Sequence, residues 1–193
     1  MGLLIPGWYL DDEDEALAER LAIGRHEQNK GAGRGDTIMQ PGTALLKPDI
    51  LGIKGEIAHA RIFEMDLDED CSQPKREADF VLPSGATVNV KCTDSDGRVR
   101  LLVDEKVFAR DPCQLYVLAL LRGRLVRFLG GISREKMVSV GYLTKTAPRR
   151  PKTLAIETCN LTPLPLMAEY RGMTCRVVVD STGQPGKWTH KTY

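Results

Sequence analysis

Ala78-Asp79-Phe80-Val81-Leu82-Pro83-Ser84-Gly85-Ala86-Thr87-Val88-Asn89-Val90-Lys91-Cys92 reads as two short strands joined by a tight turn. Pro83-Ser84-Gly85 supplies the turn chemistry, and Gly85 accepts a positive φ at no steric cost. In the second strand side chains alternate between faces, so Val88 and Val90 share the core face while Asn89 and Lys91 share the other. Upstream, Ile50, Ile53, Ile57, Ala60 and Phe63 recur at three- and four-residue spacing, which predicts a helix with a buried face. Glu56 falls roughly 50° from the centre of that apolar arc, at about 100° per residue, and so is predicted to point toward the sheet. A buried carboxylate needs a cation, a lysine or hydrogen-bond donors, and Lys91 or a metal ion would meet that need. Two carboxylates, an amide and a lysine at one sheet edge suit a divalent cation held beside a phosphodiester. The plainer alternative is an ordinary ion pair between neighbouring elements.

With 193 residues the chain is expected to form a single α/β domain spanning 1–193, with a core at about 49–138. A hydrophobic content of 42% supports a packed core and excludes wholesale disorder. No apolar run approaches the ~20 residues that span a bilayer, so no membrane partner is expected. The opening Met1-Gly2-Leu3-Leu4-Ile5-Pro6 lacks a basic segment and runs into Asp11-Asp12-Glu13-Asp14-Glu15, unlike a signal peptide or a myristoylation site. A cytoplasmic location is the expectation. The five cysteines (Cys71, Cys92, Cys113, Cys159, Cys175) form no close pair, which fits a reduced compartment, and the scattered His26, His59 and His190 give zinc little support. A net charge of +1 does not advertise nucleic-acid binding, but local clusters can still hold phosphates. Arg122, Arg124 and Arg127 form one, and Lys145, Arg149, Arg150 and Lys152 a second that reads equally well as a solvated loop.

Residues 11–29 read as an N-terminal helix with acids in its first turn, broken by Gly31-Ala32-Gly33-Arg34-Gly35-Asp36. That glycine-rich loop lacks the Lys-Ser/Thr ending of a phosphate-binding loop. Strands are predicted at 78–82, 87–93 and 98–103 as an antiparallel meander, followed by a short helix at 104–113. Gln114-Leu115-Tyr116-Val117-Leu118-Ala119-Leu120-Leu121 is an almost continuous apolar run, the pattern of a central strand buried on both faces. A turn at Arg122-Gly123-Arg124 leads to a strand at 125–132, and Ser133 is predicted to cap a helix over Arg134–Val138. In the extension at 140–193, residues 144–153 read as a loop, Leu166–Arg171 as a short helix, 175–179 as a late strand and the polar tail from Ser181 as mobile.

The order helix glutamate, strand aspartate, tight turn and x-Lys strand resembles the restriction-endonuclease-like, or PD-(D/E)xK, nuclease family. Gly52-Ile53-Lys54-Gly55-Glu56 and Gln114–Ser133 resemble small nucleases of phages and prophages. The resemblance covers roughly residues 50–138 and implies an αβββαβ core, a central mixed sheet flanked by helices. Two departures stand out: Asn89 occupies a position where the family usually has Asp or Glu, and 104–113 is short for a crossover between parallel strands.

The resemblance implies metal-dependent hydrolysis of phosphodiesters, most simply by a DNA endonuclease, in the host cytoplasm if the chain is phage-encoded. It makes Glu56, Asp79, Asn89 and Lys91 the catalytic set, and Glu56, Asp79, Asn89 and the Val90 carbonyl the ligands of one or two Mg²⁺ or Mn²⁺ ions. Lys91 would hold the attacking water or stabilise charge on the phosphate. Arg122, Arg124, Arg149 and Arg150 would contact DNA, whether duplex, branched or single-stranded, and a homodimer is an open arrangement. Arg25, His26, Asn29 and Gln114 are weaker candidates for substrate contact. Two alternatives stand beside this reading. One is a nuclease fold that binds nucleic acid without cleaving it, to which Asn89 points; the other is a structural protein in which Glu56 and Lys91 are a buried ion pair.

Overall fold

A computed structural model describes residues 6–31, 46–71, 78–145, 151–171, 173–177 and 189–192. The chain is α/β: among these residues a mixed five-stranded sheet is covered by two long helices on one face and by a smaller sheet on the other. The predicted glycine-rich loop, Arg149 and Arg150, and most of the polar tail lie outside the described residues.

The large sheet is built around β5 (Leu115–Arg122). Parallel to it runs β3 (Thr87–Thr93), with Val88 opposite Leu115 and Val90 opposite Val117. On the other side β6 (Leu125–Ser133) pairs antiparallel, followed by β1 (Gly7–Tyr9), while β2 (Phe80–Val81) pairs antiparallel with β3. The sheet order is therefore β1-β6-β5-β3-β2. Gly123, at φ 58°, makes the tight β5–β6 turn where only a residue tolerant of that region fits. A bulge between Leu118 and Ala119 leaves Leu129 as the extra residue of β6. Because one extra residue reverses the alternation, Val126 and Phe128 face the helices while Ile132 faces the opposite cluster.

Both long helices lie on one face. α1 (Asp12–Gly31) and α2 (Lys47–Phe63) bury Leu17, Leu21, Ile53, Ile57 and Phe63 against Val88, Val90, Leu115 and Val117. The predicted arc of α2 is the buried one, and Glu56 is only 5% exposed, as its position on that arc requires. Three ion pairs stitch the helix seam: Asp14–Arg61 at 3.2 Å, Glu15–Lys54 at 2.6 Å and Glu56–Arg25 at 2.9 Å. Trp8 of β1 donates its indole N–H to Asp14 at 2.8 Å, tying the edge strand to the same seam.

The predicted meander stops after two strands. β4 (Arg100–Asp104) leaves the large sheet and pairs with β8 (Lys152–Glu157), which pairs in turn with β7 (Tyr142–Lys145). Leu101, Val103 and Ile156 of this small sheet pack on Tyr116, Leu118 and Ile132. The second face is thus covered by strands where flanking helices were expected. Within the loop expected at 144–153, Thr144 and Lys145 end β7 and pair with Thr153 and Lys152, which begin β8; Thr153 also pairs with Asp104 of β4. This departure also resolves the short crossover. The connection between parallel β3 and β5 includes β4 and α3 (Glu105–Arg110) and is long enough to satisfy the geometry of a parallel pair. Asp104 caps α3 through hydrogen bonds from the N–H groups of Lys106 and Val107, and Ser133 caps α4 (Arg134–Val140) as its sequence position predicts. Beyond β8 two 3₁₀ turns, Leu164–Leu166 and Ala168–Tyr170, replace the predicted short helix and carry Leu164 and Tyr170 into the helix-side core. β9 (Thr174–Val177) is the late strand and pairs with β10 (Thr189–Thr192).

Gly55 lets α2 sit directly on β3: a Cβ there would lie 2.8 Å from Cys92 Cβ and 3.3 Å from Val90 Cγ1. Gly55→Ala raises helix propensity by ~1 kcal/mol yet should lower stability by about 2 kcal/mol, because Cys92 Cβ is fixed to the backbone and cannot swing aside. A reduced urea midpoint at unchanged slope is the expected result; a higher midpoint would show that the helix can lift at little cost.

Candidate functional site

Among the described residues β2 covers only the first rungs of β3, and Asp79, Val90 and Lys91 lie at the edge that follows. Asp79 immediately precedes β2; its N–H donates to the Val88 carbonyl at 3.0 Å. One rung further its carboxylate takes over from the missing strand, accepting the Val90 N–H at 2.7 Å. In a strand the N–H and C=O of one residue project to the same side, so the Val90 carbonyl also leaves β3 toward this open edge. Asp79 therefore has a structural duty, terminating the β2–β3 ladder, besides any chemical one.

Against the edge lies a cleft of about 290 Å³ between α1 and α2, whose lining includes Arg25, Asp49, Glu56, Val90 and Lys91. Arg25 reaches in from α1. Its Nη1 donates to Glu56 Oε2 at 2.9 Å and its Nη2 to the Asp68 carbonyl at 3.3 Å. Burial works against the Arg25 charge, but the carboxylates of Glu56 and Asp79 outweigh it and hold the guanidinium pKa above its ordinary value. Glu56 does so by direct contact and Asp79 only through its field. The buried carboxylate finds its counter-charge in an arginine 31 positions away, where the sequence pointed to Lys91 or a metal.

Asn89 is turned away from this cleft. Val88 and Val90 pack on α2, so alternation sends Asn89 to the opposite face, where its Nδ2 donates to Asp111 at 3.3 Å. Asp111 also accepts from Tyr116 Oη at 3.0 Å and from the Cys113 N–H at 2.8 Å, and Arg134 donates to its carbonyl at 2.7 Å. Lys91 leaves the strand with the parity of Asn89, yet it borders the cleft because no strand covers β3 there. Of the four expected catalytic residues, Glu56 and Lys91 line the cleft, Asp79 sits at the sheet edge on the Val90 N–H, and Asn89 belongs to a different cluster.

Of the four basic residues proposed for DNA contact, Arg122 and Arg124 are engaged within the chain. Arg122 donates to the carbonyls of Asp94 at 2.9 Å and Ser95 at 2.6 Å, bracing the turn after β3. Arg124 pairs with Asp12 at 2.6 Å at the start of α1. Gln114 accepts the Thr87 N–H at 3.1 Å and serves strand pairing. The helix candidate that does enter the cleft is Arg25. Its sequence signal was weak, because nothing in α1 alone shows which arginine will meet Glu56.

His59, three residues after Glu56 on α2, is fully buried among Phe63, Phe80, Phe128 and Tyr170. Its Nε2 shares a hydrogen bond with Tyr170 Oη at 2.8 Å. Burial pushes its pKa down to about 3, although the field of Asp79 acts in the opposite sense. Among the described residues no three of His, Cys, Asp and Glu group closely enough to hold a metal by themselves. A site here would draw on two carboxylates and a backbone carbonyl, a set that Mg²⁺ accepts when water completes its shell. Glu56 is already bonded to Arg25, and Asp79 is not among the residues that line the cleft.

No protein-family model matches the chain. No curated protein and no solved structure matches it either.

Two measurements check this arrangement. Asn89→Asp would set a second carboxylate against Asp111, so it should cost about 2 kcal/mol at neutral pH, with a smaller loss in acid. Mn²⁺ should not restore the loss; full restoration by metal would place residue 89 in the cleft after all. For His59 the folded pKa of about 3 lies below the ordinary 6.5. Between those values the unfolded chain binds a proton that the folded chain excludes. Stability is therefore complete above pH ~6.5 and falls as pH drops, at up to about 1.4 kcal/mol per pH unit. Urea melts of His59→Phe should show a shallower acid slope than the parent, whatever its absolute stability. An identical slope would assign the acid sensitivity to other groups.

Proposed function

We propose that the open-edge cleft of β3 is the site of a metal-dependent phosphodiesterase acting on DNA, with the restriction-endonuclease-like core formed by α2, β2, β3, α3 and β5. The observation that carries the reading is the buried carboxylate of Glu56 in a cleft bordered by Val90 and Lys91, beside the strand edge where Asp79 holds the Val90 N–H. Residue order, the antiparallel β2–β3 pair and the parallel β3–β5 pair support the same reading. Glu56, Asp79 and the Val90 carbonyl would hold Mg²⁺ or Mn²⁺, which neutralises phosphate charge and lowers the pKa of bound water. The chain's own groups do the rest. Asp79 is fixed by the Val90 N–H, so its carboxylate is pre-oriented at the edge. Lys91, on the rim, would donate to a phosphate oxygen or hold the attacking water. Arg149 and Arg150 keep their proposed role as phosphate contacts. The cleft wall of Ile53 and Val90 limits water on the helix side.

A second reading, nucleic-acid binding without cleavage, is favoured by one observation: Asn89, which would complete a fuller metal shell, is committed to Asp111.

Incubation with duplex and branched DNA in Mg²⁺ or Mn²⁺, with EDTA as control, separates the two. Cleavage that EDTA abolishes, and that Glu56→Gln and Lys91→Ala each reduce by about 10²-fold or more with DNA affinity nearly kept, is the expected outcome. DNA binding with no cleavage in either metal would establish the second reading. Cleavage undiminished in both variants would put the active site elsewhere.

A further inference from the structure

The small sheet turns Leu101, Val103 and Ile156 inward, so alternation puts Arg100, Ala155, Glu157 and Tyr142 on its outer face. Tyr142 of β7 does not stand away from that face. Its Oη donates to Glu157 of β8 and accepts from Arg100 Nη1 of β4 at 3.1 Å. β4 lies two strands from β7, about 10 Å at the usual spacing, so the phenol ring has to cross β8 to meet it. Ala155, directly opposite Tyr142 on β8, is 0% exposed although it belongs to the outer face, as a ring lying over it requires. Tyr142 itself stays 40% exposed, so the ring rests one side on the sheet and turns the other to solvent. Arg98, 72% exposed, grips Glu157 through Nε and Nη2, each at 3.0 Å, and lies at the surface beside the anchored hydroxyl. At the end of the same hairpin Lys145 sits directly opposite Lys152, both exposed. Like charges across one rung repel, and among the described residues neither lysine has an acidic partner. In sequence the five residues that join them add Arg149 and Arg150 and no acid.

We propose that this outer face is a docking surface for single-stranded DNA, on which Tyr142 stacks an unpaired base and Arg98, Lys145 and Lys152 hold the adjoining phosphates. A ring pinned flat by its hydroxyl is already ordered, so little freedom is lost when a base stacks on it. A duplex keeps its bases stacked on one another, whereas a single strand can offer a base face, so the ring selects single strands. The charge balance points outward as well. Both carboxylates of the small sheet are used within the chain: Asp104 accepts two N–H groups of α3, and Glu157 is held by Arg98 and Tyr142. The lysines leave by the face opposite Tyr142, but at the hairpin end, three residues or about 10 Å along. There their flexible stems keep the charge within about one Debye length of the ring at 0.1 M salt. The choice of DNA rests on the reading of the cleft; the surface itself needs neither metal nor cleavage.

Fluorescence anisotropy in EDTA with a labelled oligothymidine of about 15 nucleotides tests the proposal without reference to activity. The full chain should bind it more tightly than a duplex of equal length. Tyr142→Ala should weaken single-strand binding about tenfold and leave duplex binding nearly unchanged, while Tyr142→Phe, which keeps the ring, should stay within about threefold of the parent. Lys145→Ala together with Lys152→Ala should flatten the plot of log affinity against log salt by about 1.4, the share of two phosphate contacts on a single strand. Duplex bound as tightly as the single strand, or Tyr142→Ala binding like the parent, would overturn the stacking surface. An unchanged salt slope would take the lysines off it, and tighter binding of the matching RNA would overturn the choice of DNA. Single-strand binding in EDTA with no cleavage in Mg²⁺ or Mn²⁺ would leave the surface standing and refute the cleft reading; metal-dependent cleavage with no effect at Tyr142 would refute the surface alone. Should Tyr142→Ala not fold, ultraviolet crosslinking of the folded parent to an iododeoxyuridine-substituted strand still decides. Crosslinked peptide containing Tyr142 is the expected product, and crosslinks confined to other peptides would refute the platform.

Discussion

The double burial of β5 is the constraint on which the rest of the structure depends. Leu115, Val117 and Ala119 face the helices, and Tyr116 and Leu118 face the small sheet. A strand with apolar side chains on both faces cannot lie at a surface, so both layers must exist and both must be assembled from elements on either side of it in sequence. α1 and α2 supply one cover from upstream. The other needs β4 from the β3–β5 connection and β7 and β8 from beyond α4, because no contiguous segment is long enough to supply it. The bulge at Leu118/Ala119 lets β6 serve both layers, with Phe128 on one face and Ile132 on the other.

The cleft is a consequence of that arrangement. Parallel β3 is fixed beside β5, and β2 is only two residues long, so among the described residues β3 emerges from its partner with an unpaired edge. An open edge presents backbone donors and acceptors that must be satisfied. Here Asp79 satisfies the Val90 N–H with a side chain where a continuing strand would have used a carbonyl. A carboxylate is thereby placed at a sheet edge for a purely structural reason. Its charge then requires compensation together with that of Glu56, which α2 must bury because its apolar arc is turned inward. Arg25 bonds Glu56 directly and lies in the field of Asp79. Structure and candidate chemistry share the same residues, so loss of activity alone does not separate the two contributions.

The same logic explains where the basic residues went. Arg122 and Arg124 flank the β5–β6 turn, Arg122 bonding the carbonyls of Asp94 and Ser95 and Arg124 the carboxylate of Asp12. Local sequence placed three arginines together; the fold sent two of them into separate stabilising contacts. Clustering in sequence is weak evidence for a binding surface when the residues sit at a turn, since successive side chains there diverge.

Periodicity alone determined a good deal. The helix over α2, the inward position of Glu56, the opposition of Val88/Val90 to Asn89/Lys91, the doubly buried β5 and the Ser133 cap all follow from spacing, because each depends on contacts within one element or on the bare distinction of core from solvent. What spacing could not give is which face of β3 meets α2. Alternation divides Asn89 from Val90 but does not say which side the glutamate helix takes. Only the packing of Gly55 on Cys92 decides that, and it separates Glu56 from Asn89. Nor could sequence choose Arg25 over Lys91 as partner of Glu56, or send β4 to a second sheet. Those outcomes turn on competition between distant segments for the same burial and the same charge, a free-energy comparison that exists only once the chain is folded around β5.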